Sequence, residues 1–177
     1  MNAMGVEHQE RSCRVPNSAL QREFLALLDA HGGVLMGMLR RLCGNHHEAE
    51  DVFQETAARV WRSFAGRPTL RSPRAWVMTI GYRAFLDARG RQNRHEDLLD
   101  PVDHRNVSPG QLAEHSEECD RVQAAIADLP EPVREVVVLH YVGGLTLKQT
   151  AAAMGISGGT VKSRLNTALN RLRSVLE

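Results

Sequence analysis

One glycine limits this chain more than any other residue. In "LTLKQTAAAMGISGGTVKSRL" (Leu145–Leu165), Gly155 stands between two stretches with helical spacing and leaves room for only a three-residue turn. Glycine takes the left-handed conformation that ends a helix at no steric cost. Thr146 is placed to cap the first helix, which ends at Met154, and Ser157 to cap the second. With Leu147 as the first position, Ala151 at the fifth is small enough for the helices to cross closely, and Val161 at the fifteenth packs back on them. The pattern predicts a helix-turn-helix whose second helix turns Val161, Leu165, Ala168 and Leu172 inward. Thr160, Ser163, Thr167 and Asn170 then face out, flanked by Lys162, Arg164 and Arg171, groups able to contact phosphates and base edges. Those cations are few. Affinity for duplex follows the number of phosphates neutralised, so this surface alone predicts weak binding, with a tether or scaffold supplying the rest.

The other periodic stretches are helical too, and no strand is expected. Leu20, Phe24, Leu27, Leu28, Leu35, Met38, Leu39 and Leu42 recur at helical spacing, with Gly32-Gly33 marking a kink or break. A helix from about Glu48 to Phe64 follows, with Phe53, Ala57, Val60, Trp61 and Phe64 on one stripe and Asp51, Glu55, Ala58 and Arg62 opposite. Ser72 and Pro73 open a third helix running to about Arg91. Its Trp76, Val77, Met78, Ile80, Ala84, Phe85 and Leu86 surround the axis, so it is either buried on several sides or presents apolar groups to a ligand. Beyond Arg121, Val122, Ala125, Ile126 and Leu129 resume the pattern, and "LPEPVREVVVLHYVGG" predicts a helix ended by Gly143-Gly144.

Charge divides the chain where its net value of +1 does not. Residues 18–94 carry 12 Lys+Arg against 7 Asp+Glu, residues 95–121 carry 2 against 8, and residues 122–177 carry 6 against 4. Two basic blocks flanking an acidic one point to polyanion-binding ends joined by a linker, which Pro101, Pro109 and Gly110 also mark. Residues 1–17 lack periodicity and read as a flexible tail. Three cysteines at wide spacing imply no disulfide framework, and no stretch reaches the ~20 apolar residues of a membrane span. The default is a reduced, cytoplasmic protein with no membrane contact of its own. No nucleophile triad, phosphate-binding loop or paired-carboxylate site is evident, so the expectation is a non-enzyme without a cofactor.

Three segments, "AEDVFQETAARVWRSF" (Ala49–Phe64), "SPRAWVMTIGYRAFLDARGR" (Ser72–Arg91) and "LPEPVREVVVLHYVGGLTLKQTAAAMGISGGTVKSRL" (Leu129–Leu165), resemble the extracytoplasmic-function (ECF) sigma factors of bacterial RNA polymerase. The resemblance implies an all-α chain of two small helical domains: sigma region 2 over residues 18–94, which melts the −10 element, and sigma region 4 over residues 122–177, which reads the −35 element. It implies that Asp51, Gln54, Glu55, Arg59 and Arg62 meet the polymerase's largest subunits. For −10 DNA it implies Arg67, Arg71, Arg74, Trp76, Tyr82, Arg83, Asp87, Arg89, Arg91 and Arg94. Tyr82 from this set, and Phe85 outside it, are candidates to stack on unpaired bases, an interaction worth about 1–3 kcal/mol. For the −35 duplex it implies Lys148, Ser157, Thr160, Lys162, Ser163, Arg164, Thr167 and Arg171. An anti-sigma partner follows from the family as well. This chain departs from the family at Tyr82-Arg83, where Arg-Asn is usual, at Gly158, often Glu, and at Thr167 and Leu169, which replace a basic pair.

Two other readings stay open at this point. One is a dimeric helix-turn-helix regulator that binds operators without polymerase. The other is a metal or redox sensor built on Cys43, His46 and His47, although structural zinc sites favour paired ligand couples over one cluster at a helix end.

Overall fold

The computed structural model describes residues 18–66, 70–96 and 117–176. Seven α-helices account for nearly all of them, and no strand occurs among the described residues. α1 (Ser18–Cys43), α2 (His46–Phe64) and α3 (Pro73–Glu96) form a first module. A second contains α4 (Glu117–Ala127), α5 (Glu131–Val137), α6 (Leu147–Met154) and α7 (Gly158–Leu176).

Of the kink or break expected at Gly32-Gly33, a break is absent: α1 is one continuous helix across the pair, and Gly32 lies in ordinary contact distance of the Phe53 ring. α2 starts earlier than expected because Asn45 caps it, its side-chain oxygen accepting from the Glu48 N–H at 2.7 Å. Its buried face is Ala49, Val52, Thr56, Val60 and Phe64, rotated from the predicted stripe. The reason is that α2 packs on two neighbours. α1 takes Phe53 and Trp61 from one side, with Phe24 and Trp61 edge to face at 4.9 Å, while Thr56 points at α3. Thr56 is tolerated there because its hydroxyl donates to the Val52 carbonyl at 2.6 Å.

α3 begins as predicted, with the Ser72 hydroxyl accepting from the Ala75 N–H at 3.3 Å. It continues five residues past the expected end, to Glu96. Gly81 lets it approach α1: a β-carbon there would collide with Leu35. Its all-round apolar character is explained by burial on both sides. Leu35, Met38, Leu39, Val77, Met78 and Phe85 fill the first module, and Val138, Leu139, Leu145 and Ala153 of the second module join the same cluster. The two modules therefore share a core, although a smaller one, built on Leu129, Val136, Val137, Val161, Leu165 and Ala168, belongs to the second alone.

The junction has its own backbone geometry. α5 widens into a π-helical turn, Val138–Val142, where the Gly143 N–H donates to the Val138 carbonyl at 2.8 Å and the Leu145 N–H to the Leu139 carbonyl at 3.2 Å. Gly144, at φ +69°, then ends the helix as the sequence predicted. The predicted tail, and most of the acidic linker, lie outside the described residues; the ends of the linker stretch are helical, in α3 and α4.

Candidate nucleic-acid interface

The turn at Gly155 is built as its sequence requires. Thr146 and Gln149 cap α6 reciprocally, the Thr146 hydroxyl accepting from the Gln149 N–H at 3.3 Å and the Gln149 side chain accepting from the Thr146 N–H at 2.9 Å. Gly155 sits at φ +66° and ψ 30°. Ser157 then accepts from the Thr160 N–H at 3.0 Å, opening α7. Val161, Leu165 and Ala168 are buried and Leu172 half-buried, which turns Lys162, Ser163, Thr167 and Arg171 outward into solvent. Thr160 is half-buried, with its hydroxyl 2.9 Å from that of Ser157. Lys148, on α6, is exposed on the same module, while Arg164 is half-buried. Ser163 and Thr167 donate to the carbonyls of Thr160 and Ser163, both at 3.0 Å, which leaves their oxygen lone pairs outward.

On α2, Asp51 and Gln54 are exposed. Glu55 accepts from Arg59 Nε at 2.7 Å and from Arg62 Nη2 at 3.3 Å, and the first of these bonds leads in holding its carboxyl below the usual carboxylate range. Arg59 reaches further, to Asp87 Oδ2 on α3 at 2.6 Å. Its bonds to Glu55 and then Asp87 raise its already high pKa. Asp87, expected to face DNA, thus ties α2 to α3. Arg83 is exposed and shares a shallow groove with Arg59, Arg62, Ser63 and Ile80, so the face expected to dock on polymerase and the face expected to meet DNA adjoin. Arg71, Arg91 and Arg94 are exposed; Arg67 lies outside the described residues.

Of the remaining residues expected at −10 DNA, Arg74, Tyr82 and Arg89 are engaged by the second module. Tyr82 is 3% exposed and its hydroxyl donates to Glu135 Oε2 at 2.7 Å. Burial, then that bond, pushes the phenol well above its usual range, opposed by nearby Arg89 and Arg164. Stacking of Tyr82 on bases is therefore incompatible with this conformation. Phe85 is likewise buried, and Trp76 is half-buried against the core. Arg74 donates to the carbonyls of Gly143 at 2.8 Å and Val142 at 3.3 Å. Arg89 pairs with Glu131 and, at 2.9 Å, with Glu135. Sequence reasoning missed Glu131 and Glu135. The signal for Glu135 was present: an acid inside the apolar run "REVVVL" has to find a cation or a donor when its helix is buried.

Cys43, His46 and His47 do not form a ligand set: no three His, Cys, Asp or Glu side chains converge on a metal-sized site among the described residues. His46 faces Glu50 at 3.2 Å, and burial, helped by Glu48, pushes the Cys43 thiol up to about 12. A thiol held protonated in this way is a poor nucleophile and a poor redox sensor.

Comparison with known proteins decides between the readings left. Residues 27–95 match the family Sigma-70 region 2, and residues 119–172 match Sigma-70, region 4. The ECF RNA polymerase sigma factor SigL of Mycobacterium tuberculosis is 36% identical over 158 residues, covering 86% of this chain and 88% of that protein. The chain belongs to the ECF RNA polymerase sigma factors. RpoE of Cereibacter sphaeroides, also an ECF sigma factor, is 31% identical over 153 residues, 85% of this chain and 84% of that one. Among solved structures, the sigma factor RpoE of Bartonella quintana, in complex with the anti-sigma factor NepR, superposes with a TM-score of 0.77 at 26% identity, over 90% of this chain and 98% of that one. CnrH, in complex with the cytosolic domain of CnrY, gives 0.62 at 26% identity over 88% of each chain. As a sigma factor, the chain is a transcription-initiation subunit that gives RNA polymerase its promoter choice, and no helix among its described residues is long and apolar enough to cross a membrane.

Proposed function

We propose that this sigma factor docks on core polymerase through the α2 face of Asp51, Gln54, Glu55, Arg59 and Arg62, and reads the two promoter elements with α3 and α7. The observation that carries the reading is α7: a row of donors and cations held outward behind a correctly built left-handed turn, in a chain that also carries region 2. Lys162 and Arg171 supply phosphate contacts that set register, and Thr160, Ser163 and Thr167 supply base-edge contacts. On the first module, Arg71, Arg83, Arg91 and Arg94 are the cations accessible to the −10 strand, with Arg74, Tyr82 and Arg89 joining once the modules part.

Few cations on α7 mean weak duplex binding by the free chain. Fixing both readers on one polymerase makes the second contact intramolecular and raises its effective concentration, which is where selectivity arises. An anti-sigma factor fits this scheme as a partner that keeps the chain from polymerase in the cytoplasm. The support is that a sigma factor solved with such a partner superposes on both modules of this one. Run-off transcription on genomic promoter fragments tests the proposal. Core enzyme plus this chain gives discrete transcripts that core enzyme alone does not; tight operator binding by the isolated chain with no transcripts would favour the dimeric regulator instead.

A further inference from the structure

Apart from Glu96 at its end, α3 carries a single acid, Asp87, against Arg74, Arg83, Arg89, Arg91 and Arg94. On a helix that meets DNA a carboxylate is repelled by phosphates unless a cation neutralises it or it accepts from a base. Arg83 and Arg91 stand four residues to either side, at the spacing of helical neighbours, yet neither forms an ion pair among the described residues. Asp87 instead crosses to α2, its Oδ2 accepting from Arg59 Nη1 at 2.6 Å.

That bond completes a chain of alternating charge. Arg62 Nη2 donates to Glu55 Oε1 at 3.3 Å, and Arg59 Nε donates to the same oxygen at 2.7 Å. Glu55 and Arg59 are four residues apart with the acid first, the favourable order on a helix. One bond, however, leaves a guanidinium free to pivot. The second bond, from Asp87, holds the planar group along two edges and removes the pivot.

As a source of stability the chain is poor, because Asp87 is 56% exposed and Arg62 65%. Its place in the fold suits a different task. Arg59 and Arg62 line the shallow groove that also holds Arg83, and Asp87 borders a second groove with Leu86, Arg91 and Arg94. Asp87 thus stands on the boundary between the α2 face and the cationic face of α3. We infer that Asp87 is a positioning residue for polymerase docking, fixing through Arg59 the array of Glu55, Arg59 and Arg62 that core enzyme meets. This rests on reading α2 as the docking face. A side chain already held in its bound orientation loses less freedom when the partner arrives, so ordering adds affinity. The role requires no contact with DNA or with core from Asp87 itself.

The test titrates the full-length chain, carrying a dye at its N-terminus, with core RNA polymerase and reads affinity by fluorescence anisotropy. Run-off yield at saturating sigma factor is measured on a promoter fragment that the wild-type chain transcribes. R59A weakens core binding by about thirtyfold and D87N by about fivefold. The double variant R59A/D87N is no weaker than R59A, because Asp87 acts through Arg59. D87N holoenzyme, once saturated, keeps the wild-type yield, and D87N moves Tm by no more than about 2 °C, a split that general unfolding would not give. D128N makes the same charge change at an exposed site of the second module and leaves core affinity unchanged. The inference is overturned if D87N binds core like wild type while R59A does not, if its loss adds in full to that of R59A, or if D128N matches it. It is overturned equally if D87N lowers the saturated yield at unchanged core affinity, which would make Asp87 a DNA contact. If R59A itself binds core as wild type does, the docking reading of α2 fails and the positioning role falls with it.

Discussion

α3 and α7 carry similar chemistry and are presented differently. Both bear arginines along a helix and both follow a side-chain cap. α7 buries one stripe, Val161, Leu165 and Ala168, and leaves its polar face in water. α3 is apolar all round, and Tyr82, Arg74 and Arg89 are covered by the second module. On the proposed reading the difference follows from the task. A duplex reader meets its target as it stands, so an open, preformed face costs nothing. A surface for unpaired bases has to be apolar and cationic at once, and the α3 face proposed for that role is covered by the second module in this conformation.

The largest expected effect bears on the shared core. Leu139→Ala empties a fully buried position between the modules and destabilises the chain by about 2–5 kcal/mol, measured by chemical denaturation. Both modules should lose stability together. A loss confined to the second module would break the comparison at its base.

Gly155→Val is next, since a residue held in the left-handed region costs about 1–2 kcal/mol and this one sets the α6–α7 crossing. In the assembled holoenzyme it should weaken −35 duplex binding while core binding is kept, which separates the two faces. Lys162→Ala sharpens the α7 side: the logarithmic salt slope of holoenzyme binding to −35 duplex should fall by about 1 if Lys162 contacts a phosphate.

The smallest effect concerns Cys43. Its folded pKa of about 12 lies above the ordinary thiol value, so its contribution to stability is full at neutral pH and is lost as pH rises towards that range. Iodoacetamide at pH 8 should leave Cys43 unmodified in the native chain and label it readily in denaturant, as followed by peptide mapping.

Local chemistry made much of the fold legible. Thr146, Gly155, Ser157 and Ser72 act through their nearest neighbours, and each does what its sequence position predicts. The inward set of α7 was equally readable, because a helix with one buried side writes its period into the sequence. The rotated face of α2 was not, since Thr56 is buried only because α3 lies over it. The π-helical turn was hidden for a similar reason: the β-branched run Val136–Val138 carries no mark of the widened hydrogen bonding that follows. Tyr82 and Glu135 are 53 residues apart, and no pattern on either helix announces the other. Contacts between modules are encoded in complementarity that only the packed chain displays.

The most direct test of the central claim is the distance between the modules, free and bound. Spin labels at Ala26→Cys and Arg173→Cys, both exposed, in a chain whose native cysteines are replaced by serine, report it by double electron–electron resonance. The account predicts a single short distance for the free sigma factor and a longer one once core polymerase is added. A free chain already distributed over long distances, or one whose short distance persists in an active holoenzyme, would contradict it.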